Sequence, residues 1–143
     1  MTTATWNRPT AVRPVLAPLK FALQAPVIYA GLPPFLLLDL FVSLYQRVCF
    51  PSWGIPLVRR EEHFIYDRAL LDYLSWYQRV NCYYCSYANG LASYFREVAA
   101  RTEQYWCPVK HATPPPEPHS RYGHFLPYGD ARRFERLADE VAQ

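Results

Sequence analysis

Lysine is almost absent from this chain of 143 residues: its 15 basic residues are 13 Arg and only 2 Lys, set against 12 acidic ones. The resulting net charge of +3 is spread too thinly to form a basic patch, so no nucleic acid partner is expected. Glycine is scarce as well, and Gly90 is the only one between Gly54 and Gly123. A loop that cradles phosphate needs closely spaced glycines, and neither such a loop nor a dinucleotide fingerprint occurs, so no nucleotide is expected either. No nucleophile motif marks an enzyme, and no internal repeat is present. The first residues do not lead into an apolar core with a small-residue cleavage site, so no secretory signal is expected. Acidic residues are missing altogether from the first 38 positions, which carry Arg8, Arg13 and Lys20.

What the chain does have is aromatic and apolar bulk. There are 12 Tyr, 8 Phe and 4 Trp, and 51% of residues are hydrophobic, which excludes disorder throughout. Tyr and Trp join an apolar body to a polar tip and suit half-wet surfaces, including a membrane boundary. The length fits one compact domain with extensions.

Three segments are expected. Residues 1–33 carry Pro9, Pro14, Pro18, Pro26 and Pro33 and read as a proline-rich apolar arm, extended with at most short helical pieces. Residues 34–112 read as a helical core of three or four helices. Pro34 and Pro51 frame the first of these helices, apolar on nearly every face and interrupted by Asp39. It is either a core helix or a segment that touches lipid, since a spanning helix needs ~20 apolar residues. Leu57 to Ile65 suits a short extended stretch. A second helix is predicted from Asp67, stopped at Asn89-Gly90, and a third from Leu91 to Tyr105, stopped by Pro108. Residues 113–143 read as a proline-rich spacer, Pro114 to Pro118, followed by an amphipathic helix over Asp130 to Val141.

The cysteines carry the chemistry. On the cytosolic side of a membrane, or in the cytoplasm, thiols stay reduced, and thiols at short spacing then point to metal. Cys82 and Cys85 stand three apart, and Cys107 and His111 four apart. If the chain turns at Asn89-Gly90, the intervening helix brings the second pair back to the first. Three thiolates and an imidazole form a closed tetrahedral set suited to structural zinc. An iron–sulfur cluster is the alternative cofactor, and Cys49 is a reserve ligand. Haem attachment fails because Ser86 follows Cys85 where a histidine is required. A di-iron site needs Glu-x-x-His, which is missing. The expected fold is therefore mainly α, a small helical domain with a proline-rich N-terminal arm and a Cys/His metal-stapled helical hairpin.

The stretch Asn81-Cys-Tyr-Tyr-Cys-Ser-Tyr-Ala-Asn-Gly90, with Arg96-Glu-Val-Ala-Ala-Arg-Thr-Glu-Gln-Tyr-Trp-Cys-Pro-Val-Lys-His-Ala112, resembles a group of small uncharacterised bacterial proteins. The similarity runs from about Val48 through Asp130. It implies a bacterial source and one co-occurring unit of cysteines and histidine, and it implies no substrate or catalytic residue. The expectation for function is a metal-binding, membrane-associated accessory or interaction protein. It would meet a membrane surface or a membrane protein complex through residues 15–50, on the cytoplasmic side suggested by Arg47, Arg59 and Arg60. The alternative is an iron–sulfur or thiol redox protein serving membrane electron transfer.

Overall fold

The structure, a computed structural model, describes residues 17–141. Among them are four α-helices: α1 Ala17–Tyr29, α2 Leu32–Ser52, α3 Trp76–Trp106 and α4 Ala131–Val141. No strand occurs among the described residues, where sheet-like pairing is limited to a bridge between Val109 and Leu126. The protein is mainly helical, as expected. It divides into two compact units, Met1–Leu36 and Leu37–Gln143, with the division inside α2.

In the first unit the expected extended arm contains a true helix. α1 runs 13 residues and carries Pro26 within it. Proline at that point removes one backbone donor, but the ladder resumes where Ala30 N donates to Pro26 O at 3.0 Å. Leu23 and Val27 are exposed. The expectation for residues 1–16 lies outside the described residues.

α2 begins with Pro33 and Pro34 in its first turn, where missing N–H groups cost nothing to the ladder. It closes where Trp53 N donates to Cys49 O, and Gly54 takes a positive φ of 68° that turns the chain away. The connection onward holds two 3₁₀ turns, Arg60–Glu62 and Asp67–Leu70. The helix predicted from Asp67 is thus only a turn there. α3 proper starts after Ser75, whose backbone N–H and hydroxyl both donate to the Gln78 side chain, at 2.9 and 2.8 Å.

The largest departure from expectation is α3 itself. It runs 31 residues without a break through Asn89-Gly90, so the two helices predicted on either side are one. Gly90 does not adopt the left-handed conformation a helix stop requires. It serves close packing instead: a Cβ there would lie 2.9 Å from Phe64 Cδ1 and 3.0 Å from the His63 carbonyl oxygen. The glycine lets the connection between α2 and α3 seat directly on the helix backbone. The expected core of three or four helices is therefore two helices and their crossover.

α2 and α3 run parallel. Asp39 meets Tyr87, Gln46 meets Tyr94 and Trp53 meets Tyr105, so the contacts advance in the same direction along both. Parallel neighbours need a long return, which the crossover of residues 53–75 supplies. Val42, Phe50, Val58, Leu91, Tyr94 and Val98 form the buried centre. Beyond α3, Lys110 N donates to Leu126 O and Leu126 N to Pro108 O, closing a loop whose Tyr122 and Phe125 are buried. α4 starts at Asp130, whose carboxylate accepts from Arg133 N, and its Phe134 and Leu137 remain partly exposed.

Candidate functional site

The unbroken α3 decides the fate of the expected metal set. Cys82 and Cys85 lie in its first half, and Cys107 is the residue that caps its end. From Cys85 to Cys107 the helix rises roughly 33 Å at ~1.5 Å per residue, far beyond a shared ligand sphere. His111 stacks on Tyr122, with ring centroids 5.9 Å apart, and its backbone N–H donates to the Tyr122 hydroxyl. Cys49 sits near the end of α2, whose neighbours Tyr45 and Trp53 touch Thr102 and Tyr105 rather than the Cys82 end of α3. Among the described residues no three His, Cys, Asp or Glu side chains group as metal ligands. The metal-stapled hairpin is corrected accordingly: the structure brings Cys82 and Cys85 to neighbouring turns and leaves Cys107 and His111 apart from them. The physical reason is that a shared ligand sphere needs the chain to reverse at Gly90, and that glycine is helical.

What α2 and α3 do bring together is a polar seam inside the unit. Arg60 holds the Asp39 carboxylate through both Nη atoms, one of them at 2.6 Å from Oδ2. Tyr87 Oη donates to the same Oδ2 at 2.9 Å, and Ser43 Oγ donates to Oδ1 at 3.3 Å. Two turns further along, Gln46 donates to the Tyr94 hydroxyl and to Val58 O, and its own oxygen accepts from Val58 N at 3.0 Å. Asp39 and Gln46 are buried, with 9% and 6% of their surfaces exposed. Burial, followed by the hydrogen bond to Asp39, raises the Tyr87 phenol from 10.0 to about 12. The hydrogen bonds that Arg60 donates to Asp39 likewise raise Arg60 above its ordinary value. A carboxylate so fully engaged has no lone pair ready for acid–base work. The seam is a lock between two helices.

The outer face of α2 is the reverse of this. Leu37 (68% exposed), Leu40 (66%), Phe41 (64%), Leu44 (60%) and Val48 (60%) form a stripe at helical spacing, away from the buried stripe of Asp39, Val42, Gln46 and Phe50 on the same helix. A water-soluble surface helix turns its apolar side inward. α2 buries Asp39 and Gln46 and presents leucine to its surroundings. By length and composition Ala22–Ser52 is apolar enough to cross a membrane, and 11% of its most apolar window is buried, unlike the core helix of a soluble protein. This polarity was missed in the sequence because Asp39 read as an interruption. The signal was there in the spacing of Asp39, Val42, Gln46 and Phe50, one stripe of α2.

A second charged cluster lies where the last loop meets α3. Glu97 Oε1 accepts from Arg101 Nε at 2.9 Å and from Arg121 at 3.1 and 2.9 Å. Burial opposes the Glu97 charge, but the two guanidinium groups outweigh it and hold the carboxyl below its ordinary range. Beside it is an open cleft of about 320 Å³ lined by Trp53, Ile55, Pro56, Arg101, Tyr105 and Arg121. Both arginines are already engaged, Arg101 also by Pro56 O and Arg121 also by Gln104, so the cleft is no ready anion receptor. Glu61 and Glu62 pair with Arg59, and Glu103 with His119, which leaves the carboxylates dispersed.

No family model, no curated protein and no solved structure matches this chain.

Proposed function

We propose that this protein is a membrane-associated accessory or interaction protein, held to lipid by the outward stripe of α2 together with the apolar residues that precede it. The observation that carries this reading is the outer face of α2: five large apolar side chains are turned out, while Asp39 and Gln46 are turned to the protein beside Val42 and Phe50. In water, exposing five such side chains is unfavourable by about 1.5 kcal/mol or more each relative to burial. Against hydrocarbon the same arrangement is favourable, and the polar residues then belong inside, paired, as they are here. Supporting it, Trp53, Tyr105 and Trp106 cluster at the end of α2, with Trp53 and Tyr105 stacked at 5.8 Å, a composition suited to the headgroup level. Arg47, Arg59 and Arg60 lie towards the same end and support a cytoplasmic side for it in this reading. The charged residues of α3, Arg96, Glu97 and Arg101, stay out of hydrocarbon, so the α2–α3 body sits at the surface and is free to meet a membrane protein complex.

Vesicle flotation tests the proposal. The full-length protein is expected to rise with vesicles of phosphatidylcholine and phosphatidylglycerol. A Leu40→Glu/Leu44→Glu variant is expected to stay at the bottom of the gradient while keeping its helical circular dichroism. Wild-type protein that remains below the vesicles as a monodisperse monomer overturns the reading, and flotation unchanged by the double variant removes the stripe from it.

A further inference from the structure

Cys82 and Cys85 are a pair of thiols close together on α3. They stand one helical turn apart on α3, with Cys85 exposed and Cys82 partly so, and neither is in a disulfide. Residues at i and i+3 have Cβ atoms ~5–6 Å apart, close enough for both sulfurs to converge on one ion by rotation about χ1. Zinc asks for four such ligands at ~2.3 Å. Among the described residues the chain offers no third, and the candidates nominated by spacing are the length of a helix away.

We propose that the missing two ligands are Cys82 and Cys85 of a second copy of this chain, so that two α3 helices cross at these turns around one zinc bound by four thiolates. The site is incomplete without the partner copy. Several features of α3 suit the crossing. From Val80 to Phe95 the helix has no charged residue, so two copies approach without repulsion. Cys85 and Asn89, one turn apart on the same side of α3, are both exposed, while the buried Ser86 and Gly90 face the protein's own interior and leave the thiol side free. Asn89, one turn beyond Cys85, folds its amide back onto the Cys85 carbonyl at 2.8 Å and so does not compete for the ion. Binding replaces four S–H protons, released to solvent, by four zinc–sulfur bonds, with no change of oxidation state. None of this rests on the membrane reading, because the thiols lie on α3 and the apolar stripe on α2.

The test uses full-length protein kept reduced, with zinc as the added probe, read by elemental analysis and by light scattering after size exclusion in mild detergent. The expected result is one zinc per two chains and a dimer that a chelator dissociates. Cys82→Ser/Cys85→Ser should abolish both zinc and dimer while keeping the helical circular dichroism, since neither thiol belongs to the core. Cys107→Ser and His111→Ala should leave both intact. One zinc per chain that depends on Cys107 and His111 overturns the inference in favour of a rearranged single-chain site. No uptake of zinc by the reduced protein, iron with sulfide in its place, or a dimer indifferent to the chelator overturns it as well. Flotation of the same double variant separates the two readings: loss of zinc with flotation retained shows them to be independent.

Discussion

Arg60 grips Asp39 through both guanidinium nitrogens while its carbon rests 4.1 Å above the centre of the Phe64 ring. Three elements meet in that one side chain: α2 through the carboxylate, the crossover through Phe64, and α3 through Tyr87 on the same carboxylate. Removing one charge leaves the other without its partner. Asp39→Ala is expected to cost about 2–3 kcal/mol, held to the low end for a broken ion pair because the Arg60 side chain is 43% exposed and can turn towards water. Asp39→Leu combined with Arg60→Met should recover most of that loss, because apolar groups of similar volume need no partner. Thermal unfolding of the single and paired variants checks this, and strictly additive losses would refute the coupling.

Gly90→Ala is expected to destabilise the fold despite a favourable change in helix propensity. Alanine adds ~1 kcal/mol of intrinsic helix preference. Its Cβ, however, meets Phe64 at 2.9 Å and the His63 carbonyl at 3.0 Å, and a backbone oxygen moves less readily than the tip of a flexible side chain. Overpacking of this kind costs about 1–3 kcal/mol, so a net loss of up to about 2 kcal/mol is expected in chemical denaturation. A stabilised variant would show that the crossover is not seated on α3.

Ser86 presents the opposite case. It is buried on α3, and its Oγ has no hydrogen-bond partner among the described residues. Ser86→Ala removes an unsatisfied group with almost no change of volume, so the variant should be as stable as the parent or more stable by up to about 1 kcal/mol. A clear loss in melting temperature would mean that the hydroxyl has a partner.

How much of this was legible in the sequence depends on whether a local or a distant residue made the decision. α2 and α4 are close to their predicted spans because prolines and an Asp cap fix their ends within the helix's own residues. The stop predicted at Asn89-Gly90 does not occur in α3, because Asn-Gly ends a helix only where the chain is free to turn left-handed. Phe64, 26 residues away, decides otherwise by occupying the space above Gly90. The single-chain metal set fell with that turn, since spacing along the chain becomes proximity only if the chain reverses. Asp39 is instructive in the other direction. Its acidity was visible, but its meaning required Arg60 and Tyr87 from two other elements.

Tyr87 gives a spectroscopic handle on the seam. Burial and the hydrogen bond to Asp39 raise its phenol from 10.0 to about 12, so its neutral form is favoured by folding. The associated stability is present in full below pH 10 and is lost as pH climbs towards 12. The difference in tyrosinate absorbance between wild type and Tyr87→Phe should therefore develop near pH 12. A difference that develops near pH 10 would place Tyr87 in water and away from Asp39.

Glu97 sets the acid side. Its folded carboxyl is held below the ordinary value of 4.5, with Arg101 and Arg121 outweighing the effect of burial. A depressed carboxylate contributes stability that is present above its unfolded value, and that contribution is lost as pH falls through the folded one. The loop that carries Arg121 is tied to α3 by this carboxylate, by Gln104, by Arg96 on the Glu117 carbonyl and by Glu103 on His119, so acid should loosen the loop before it disturbs the α2–α3 lock. Amide exchange at Tyr122 and Phe125, followed from pH 6 to pH 3, is expected to quicken while exchange at Leu91 and Tyr94 holds. Glu97→Gln should quicken the loop at all pH values and flatten its acid dependence, because the neutral amide cannot hold two guanidinium groups and does not titrate. An acid dependence that survives in Glu97→Gln would assign the effect to another carboxylate, with Glu103, paired to His119 at 3.1 Å, the next to examine.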